Sequence, residues 1–476
     1  MRDLTGGRLH AGGDAARAEA ALAGVNTDSR SVTRGQVFVA LRGERFDGHA
    51  FVGQAAAAGA GLIVVDRGEA VAAAAGTPAL VVEDTRKALG KMAAGYRDVL
   101  GRMGAKVIAV CGSNGKTTTT RMIDAVLGAS MRGTASQKSF NNDVGVPLTI
   151  LGATPGDKYL LCEVGSNAPG EIATLGAIVR PDIAVITSIG REHLQGFGDL
   201  AGVAREEGSI AAFVPSQPKG VVIATADAPE LRPHLLGRLG TRLKLFGRAA
   251  DAEPRLNSCE HISDIHGMGL SFSTADGAAW RLGLLGKHNA TNALAAIAVG
   301  REFGLKDAAI AAALEKARGP EMRLQVMEAG GIRIINDAYN ANPESMLAAI
   351  ETFGEVSRGA ARRVLVLGDM RELGTSTEAS HREVGRAAAA VSVDLLVAIG
   401  ESMAWAAEEA RGRVRVEWMA GTNDADFAAA AGMVREGDAV LVKGSRGMRM
   451  ERVVAGVKAK AEGEGSKFKV QSSNVH

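Results

Sequence analysis

Residues 107–120 read Val-Ile-Ala-Val-Cys-Gly-Ser-Asn-Gly-Lys-Thr-Thr-Thr-Thr, and this stretch decides how the rest of the chain is read. The apolar, β-branched run Val107–Cys111 predicts a buried strand. Gly112-Ser-Asn-Gly-Lys-Thr117 is a glycine loop, and the pattern Met122, Ile123, Val126, Leu127 predicts an amphipathic helix after it. Strand, glycine loop and helix together make a phosphate cradle. Glycines let backbone N–H groups approach phosphate oxygens, and the helix N-terminus adds a favourable dipole. Lys116 supplies a point charge, and the Thr117 hydroxyl can reach Mg²⁺. Gly112, Ser113, Asn114, Gly115, Lys116, Thr117 and Thr118 are therefore the candidate ATP-binding residues. The loop is not the eight-residue P-loop, because Val110 or Cys111 stands where that consensus wants its first glycine.

Composition narrows the function class. The length of 476 residues leaves room for about two to four domains. A formal net charge of +2 with 23% charged residues gives no electrostatic support for nucleic-acid binding. Cys111, Cys162 and Cys259 lie far apart, with no paired spacing for zinc or a disulfide framework. The first residues lack an apolar signal core, and no apolar run approaches membrane-span length. The expectation is a soluble cytoplasmic protein, taken as a monomer. Few aromatics and abundant Ala and Gly suit packed α/β layers.

Three blocks follow one another. Residues 1–84 read as a small α/β unit with strands at Gln36–Leu41, Leu62–Asp66 and Ala79–Val82 and a helix around Phe51–Ala58. Residues 85–316 read as a larger unit with strands at Lys106–Cys111, Tyr159–Val164, Ile183–Ser188 and Val221–Thr225. Residues 317–460 restart the alternation, with strands at Ile332–Asn336, Arg363–Leu367, Leu395–Ile399, Val414–Trp418 and Ala439–Val442. Strands alternating with helical patterns predict mostly parallel sheets, with ligands beyond the carboxyl ends of the strands. The Lys-, Glu-, Gly- and Ser-rich segment Ala459–His476 reads as a frayed tail, counted as 461–476 in the domain division.

The chemistry-bearing residues sit at those strand ends. Glu163 closes the strand Tyr159–Glu163, where Mg²⁺ beside a phosphate loop needs an oxygen. His193 lies just past another β-branched strand and can ligate metal or bond a phosphate. Asn289 and Asn292, one turn apart before an Ala-rich helix, either cap it or present amides to a base edge. Asn336–Ser345, Gly368–Gly374 and Lys443–Gly447 occupy strand-to-helix junctions in the last block and are expected to form one rim.

In these motifs the chain resembles the ATP-dependent Mur ligase family. Asp28-Ser-Arg30, Gly35–Gly43 and Asp47-Gly-His49 resemble the family's uridine-nucleotide domain. Asn141-Asn-Asp-Val-Gly-Val-Pro147 resembles its central phosphate and substrate segment. Tyr339-Asn-Ala-Asn-Pro343 and Leu367-Gly-Asp-Met-Arg-Glu-Leu-Gly374 are similar to the branch that adds a terminal dipeptide. The resemblance implies an α/β, three-domain architecture: a small N-terminal α/β domain, a central P-loop parallel-sheet ATPase domain and a C-terminal Rossmann-like domain. It implies ATP and Mg²⁺, with UDP-N-acetylmuramoyl-tripeptide and D-alanyl-D-alanine joined through an acyl phosphate. Lys116, Glu163 and His193 are then the catalytic candidates. Asn289 is expected on adenine, and Arg323 and Asp337 on the ATP ribose or phosphates. Ser29, Arg30, Arg42, Asn141, Asn142, Tyr339, Asn340, Asn342, Lys443 and Arg446 are the substrate candidates. Thr117, Glu163, His193 and Glu207 are the metal candidates, and C-terminal domain closure is expected to complete the site.

Two departures stand out. The family carries a lysine, carbamylated by CO₂ to bind Mg²⁺, where this chain reads Glu207 in Val203-Ala-Arg-Glu-Glu-Gly-Ser-Ile210. The expectation is that the Glu207 carboxylate takes the metal role directly. Asn336 stands where the family has a first aspartate, and Asp337 remains. Other readings compete. Another Mur-type amide ligase is one, and the ligase adding the third residue would show an Asp-Asn-Pro-Arg-type motif that is absent here. The folylpolyglutamate branch of ligases lacks the Asp28-Ser-Arg30 domain and Tyr339–Pro343. A nucleotide-regulated binding protein without turnover rests on Glu207 alone. A dehydrogenase would need a Gly-x-Gly-x-x-Gly fingerprint after the first strand of the last block, and none is present.

Overall fold

The β-branched run before the glycine loop forms the strand Lys106–Cys111, which lies inside a six-stranded parallel sheet. The computed structural model describes residues 1–11, 22–43, 46–137, 139–216, 220–235, 242–264 and 267–463. Of the expected tail at 459–476, residues 464–476 lie outside the described residues, and Ala459–Ala461 complete the helix Glu451–Ala461.

The first sheet holds β1 (Arg8–His10), β2 (Val25–Asn26), β3 (Val37–Val39), β4 (Leu62–Val65) and β5 (Ala79–Val81), in the order β1-β5-β4-β3-β2. The central sheet holds β6 (Lys106–Cys111), β7 (Gly133–Ala135), β8 (Tyr159–Glu163), β9 (Ile183–Ile186), β10 (Val221–Thr225) and β11 (Arg242–Phe246), ordered β11-β10-β9-β6-β8-β7. A small antiparallel sheet follows, β12 (Leu256–Asp264), β13 (Gly267–Thr274) and β14 (Ala279–Leu282). The last sheet holds β15 (Gln325–Ala329), β16 (Ile332–Asp337), β17 (Arg362–Gly368), β18 (Leu395–Ile399), β19 (Arg415–Met419) and β20 (Asp438–Lys443), ordered β15-β16-β20-β17-β18-β19. Its β15–β16 pair is antiparallel and the rest parallel.

Strand periodicity explains how the central sheet is covered. Side chains alternate faces along β6. Val107, Ala109 and Cys111 join Ala93, Leu100, Ile172 and Leu175 on one face. Ile108 and Val110 join Met122, Ile123, Val126 and the helix residues Ala293–Val299 on the other. With both faces buried, the strand reads as a continuous apolar run, which is why the sequence located it to the residue.

The helix Thr85–Arg102 begins at Asp84, whose carboxylate accepts from the N–H groups of Arg86 and Lys87. Ala88, Leu89 and Met92 pack against β3–β5, while Ala93 and Leu100 pack against the central sheet. One helix thus serves both units across the boundary drawn at 84/85.

Strands β1, β2, β7, β11, β12–β14 and β15 escaped the sequence reading. On β12–β14 Leu256, Cys259, Leu270, Phe272, Trp280 and Leu282 pack on the core, whereas Glu260 and Ser271 pair on the other face. Half-buried strands of that kind give alternation rather than an apolar run. The Ala-rich helix starts at His288, five residues earlier than read.

The strand order sets the site. β6 lies between β9 and β8, and the chain leaves it for β7 and β8 on one side before returning to β9 on the other. Ligands bind at the carboxyl ends of strands flanking such a reversal. In the last sheet, β16, β20 and β17 are neighbours, so their carboxyl ends, Asp337, Lys443 and Gly368, lie side by side.

Candidate active site

At the carboxyl end of β6 the glycine loop turns with Gly112 at φ 119° and Gly115 at φ 83°, both in the region that favours glycine. A Cβ on Gly115 would lie 2.5 Å from Asn292 Oδ1, and one on Gly112 would run into Thr187 Oγ1. The loop is fastened from behind. Ser113 N–H donates to the Ser188 carbonyl at 2.8 Å, and Asn114 N–H to Ser188 Oγ at 2.9 Å. Gly112 N–H donates to Glu207 Oε2 at 2.7 Å. The helix Lys116–Gly128 then starts with no side-chain cap, so its first-turn N–H groups point at the cleft with the dipole behind them.

Lys116 Nζ donates to the carbonyls of Gly112 and Ser113, with Glu192 Oε1 at 3.7 Å. Burial opposes its charge, but Glu192, Glu207 and Glu163 hold the ammonium above its usual range. Burial in turn pushes the Glu192 carboxyl up to about 8, with Lys116 pulling it back. Glu163 is also raised by burial, against the pull of Arg323 and Lys116. Its Oε1 accepts from Asn141 Nδ2 at 3.0 Å, whereas Oε2 is buried with no hydrogen-bond partner. Thr117 Oγ1 lies 3.4 Å from Ser139 Oγ and accepts from Arg323 Nη2 at 3.1 Å.

The opposite wall comes from the last sheet. Asp337, at the end of β16, accepts from Leu324 N–H at 3.0 Å and pairs with Lys443 at 2.6 Å. Lys443 also donates to the Asn340 carbonyl at 2.9 Å. The Tyr339 ring lies 4.3 Å from the Arg323 guanidinium and 5.7 Å from that of Arg446. Asn342 caps the helix Pro343–Val356 through Ser345 N–H, and its amide donates to Asn114 Oδ1 on the glycine loop at 2.8 Å. Both walls line one cleft of about 760 Å³.

That cleft brings together Ser113, Asn114, Gly115, Lys116, Thr118, Asn141, Asn142, Glu163, His193, Asn289, Arg323, Asp337, Tyr339, Asn340, Asn342, Lys443 and Arg446. Ser29, Arg30 and Arg42 do not line it. They sit in the first unit, with Ser29 on Gln54, Arg30 on Asp28 and Arg42 on Asp66. Asn289 and Asn292 are not caps, because the helix begins before them. Asn289 donates to the Leu285 carbonyl, and Asn292 donates to Asn289.

Two metal candidates, His193 and Glu207, are engaged with other partners here. His193 Nδ1 pairs with Glu372 at 2.6 Å. Glu207 is 1% exposed behind the loop, with Gly112 N–H on one oxygen and Ser166 Oγ at 3.5 Å from the other. Among the described residues no three His, Cys, Asp or Glu side chains converge as a ligand set. Of the metal candidates, Glu163 offers a buried carboxylate oxygen, Oε2, without a hydrogen-bond partner among the described residues. A hard cation such as Mg²⁺, bound through one or two carboxylates plus phosphates, fits that donor set.

Sequence reasoning missed Glu192 and Arg191. Arg191 Nε donates to Glu344 at 2.6 Å and its Nη1 to Glu383 at 3.1 Å, both on helices of the last unit. The only signal was their place two or three residues before Leu194, beside the histidine.

Comparison with known proteins agrees with this geometry. The Mur ligase family catalytic domain matches residues 21–97, the Mur ligase middle domain 110–300, and the Mur ligase glutamate ligase domain 322–446. The UDP-N-acetylmuramoyl-tripeptide–D-alanyl-D-alanine ligase of Bacillus subtilis is 36% identical, the match covering 90% of this chain and 92% of that protein. The Escherichia coli ligase of the same name is also 36% identical, over 95% of this chain and 96% of that one. A crystal structure of MurF from Acinetobacter baumannii superimposes with TM-score 0.81 at 31% identity, covering 95% and 96% of the two chains. MurF ligase from Thermotoga maritima in complex with ADP gives TM-score 0.77 at 26% identity, covering 92% and 98%. The chain therefore belongs to the Mur ligase family, in its UDP-N-acetylmuramoyl-tripeptide–D-alanyl-D-alanine ligase branch.

Proposed function

We propose that this chain uses ATP to join D-alanyl-D-alanine to UDP-N-acetylmuramoyl-tripeptide, releasing ADP and phosphate, as a cytoplasmic monomer. One observation carries the reading: a single cleft has the open helix N-terminus, Lys116 and Glu163 on one wall and Arg323, Tyr339–Asn342 and Lys443–Arg446 on the other.

Nucleotide phosphates dock on the first-turn N–H groups after Gly115. Lys116 exchanges its carbonyl partners for phosphate oxygens, and Arg323 moves from the Thr117 hydroxyl to the same charge. Thr117 and Glu163 would hold Mg²⁺, which when bound neutralises phosphate charge. The tripeptide's terminal carboxylate attacks the γ-phosphorus and expels ADP, giving an acyl phosphate. The dipeptide amine then attacks the acyl carbon, and phosphate leaves from the tetrahedral intermediate while the amine proton passes to solvent or a cleft base. Fixed cations facing those oxygens stabilise both steps. Walls from two units exclude water that would hydrolyse the acyl phosphate. Glu207 secures Gly112 and so sets the loop. The first unit, with Ser29, Arg30 and Arg42, is assigned to the uridine nucleotide.

The test is phosphate release from ATP with UDP-N-acetylmuramoyl-tripeptide, with and without D-alanyl-D-alanine. Release that requires both acceptors supports the ligase. No release under any combination overturns it in favour of a binding protein.

A further inference from the structure

Five basic side chains other than histidine line the cleft: Lys116, Arg323, Arg371, Lys443 and Arg446. Four have work or a partner. Lys116 and Arg323 face the phosphate loop, Lys443 pairs with Asp337, and Arg446 lies 3.3 Å from Glu451. Arg371 pairs with no carboxylate among the described residues. Among the described residues its guanidinium has one hydrogen-bond contact, to the Met448 thioether at 3.7 Å.

Its acidic neighbours are turned away. Asp369 accepts from Met403 N–H at 2.9 Å, and Glu372 pairs with His193. Yet Arg371 is held. Its N–H donates to Ser445 Oγ at 2.9 Å, tying the loop after β17 to the loop after β20. A Cβ on Gly447 would lie 2.6 Å from Arg371 Nη1, and Gly447 has no positive φ that would itself call for glycine. The missing side chain at 447 makes room for the guanidinium. The arrangement is a planar cation, its backbone tied to the cleft wall and its fork without a carboxylate partner among the described residues, the geometry that suits a carboxylate.

We propose that Arg371 binds the terminal carboxylate of the incoming dipeptide and selects for the free acid over neutral analogues. The proposal rests on the ligase reading above. An extended dipeptide spans about 7 Å, so a wall cation can hold its carboxylate while its amine faces the acyl carbon. A bound carboxylate gives the guanidinium the directly paired anion that Asp369, close enough to feel its charge but bonded to Met403 N–H, does not.

The experiment compares wild type, R371A and R371M with D-alanyl-D-alanine and with its C-terminal amide, at saturating ATP and nucleotide substrate. Losing a charge-assisted hydrogen bond should raise KM for the acid about tenfold to a hundredfold. Turnover of the amide and the KM values for ATP and UDP-N-acetylmuramoyl-tripeptide should stay within about twofold. G447A, which displaces the guanidinium without removing it, should move KM for the acid in the same direction, and R371K should recover part of the loss. Equal losses for acid and amide, an unchanged KM for the acid, or a rise confined to the tripeptide would overturn the proposal. If wild type shows no dipeptide-dependent turnover, the ligase reading itself fails, which is a separate result.

Discussion

Glu207 gives one carboxylate oxygen to the Gly112 N–H from a fully buried position behind the glycine loop. Removing that acceptor strands a buried N–H, at a cost of about 1–3 kcal/mol. E207A is therefore expected to lower thermal stability and raise KM for ATP. E207Q keeps an acceptor oxygen and should hold stability close to wild type, with an unchanged Mg²⁺ concentration for half-maximal activity. A Mg²⁺ titration of E207Q checks this, since a large rise in the metal requirement at wild-type stability would make Glu207 a metal ligand instead. Individual residues were legible where the strand pattern fixed their position. Glu163 was found because it closes an apolar run, and Lys116 because it follows the glycine loop after one. Glu192 and Arg371 were not, because their roles depend on partners that the fold supplies: Lys116 for one, Gly447 and Met448 for the other.

Among the elements, the loop Asp369–Gly374 depends on a buried histidine. His381, on the helix Thr377–Ala390, accepts from Met370 N–H at 3.0 Å through Nε2, and its Nδ1 lies 2.7 Å from the Thr377 carbonyl. Both bonds are satisfied by the neutral ring alone, since protonation would set a donor against the Met370 N–H. Burial accordingly holds His381 below its ordinary 6.5. The unfolded chain takes up the proton near 6.5 while the folded chain does not, so this stability is present above 6.5 and is lost as pH falls toward the folded value. H381Q should show a flatter decline of thermal midpoint between pH 7 and pH 5 than wild type, measured by calorimetry. Equal slopes would remove His381 as the cause. Elements buried on both faces, such as β6, β10 and β18, were legible to the residue. The β12–β14 sheet was not, because one of its faces is polar.

At the scale of the whole molecule, contacts between the central and last units run along the helix Pro343–Val356. At its N-terminal end Asn342 meets Asn114 and Glu344 meets Arg191. At its C-terminal end Glu355 meets His261 and Lys287 at 2.8 and 2.6 Å. Partly exposed ion pairs contribute about 0.2–1 kcal/mol each. Losing both Arg191 pairs should therefore shift the balance between closed and open arrangements by up to about thirtyfold. R191A is expected to have a larger radius of gyration without nucleotide by small-angle scattering, with R191E/E344R recovering part of the compaction. A scattering curve identical to wild type would assign closure to other contacts. The order of units was legible from the restarting strand–helix alternation. That the last unit would complete the site was implied by the family resemblance, but the contacts that join the walls were not legible, because pairs such as Arg191–Glu383 join residues 192 apart in sequence.

The central claim is that a carboxylate and the γ-phosphate of ATP meet in this cleft and an amine then displaces the phosphate. The most direct measurement uses UDP-N-acetylmuramoyl-tripeptide with ¹⁸O in its reacting carboxylate, followed by mass spectrometry of the products. One labelled oxygen in the released phosphate and one in the new amide is the predicted result. Phosphate without label, formed alongside the amide, would contradict the account.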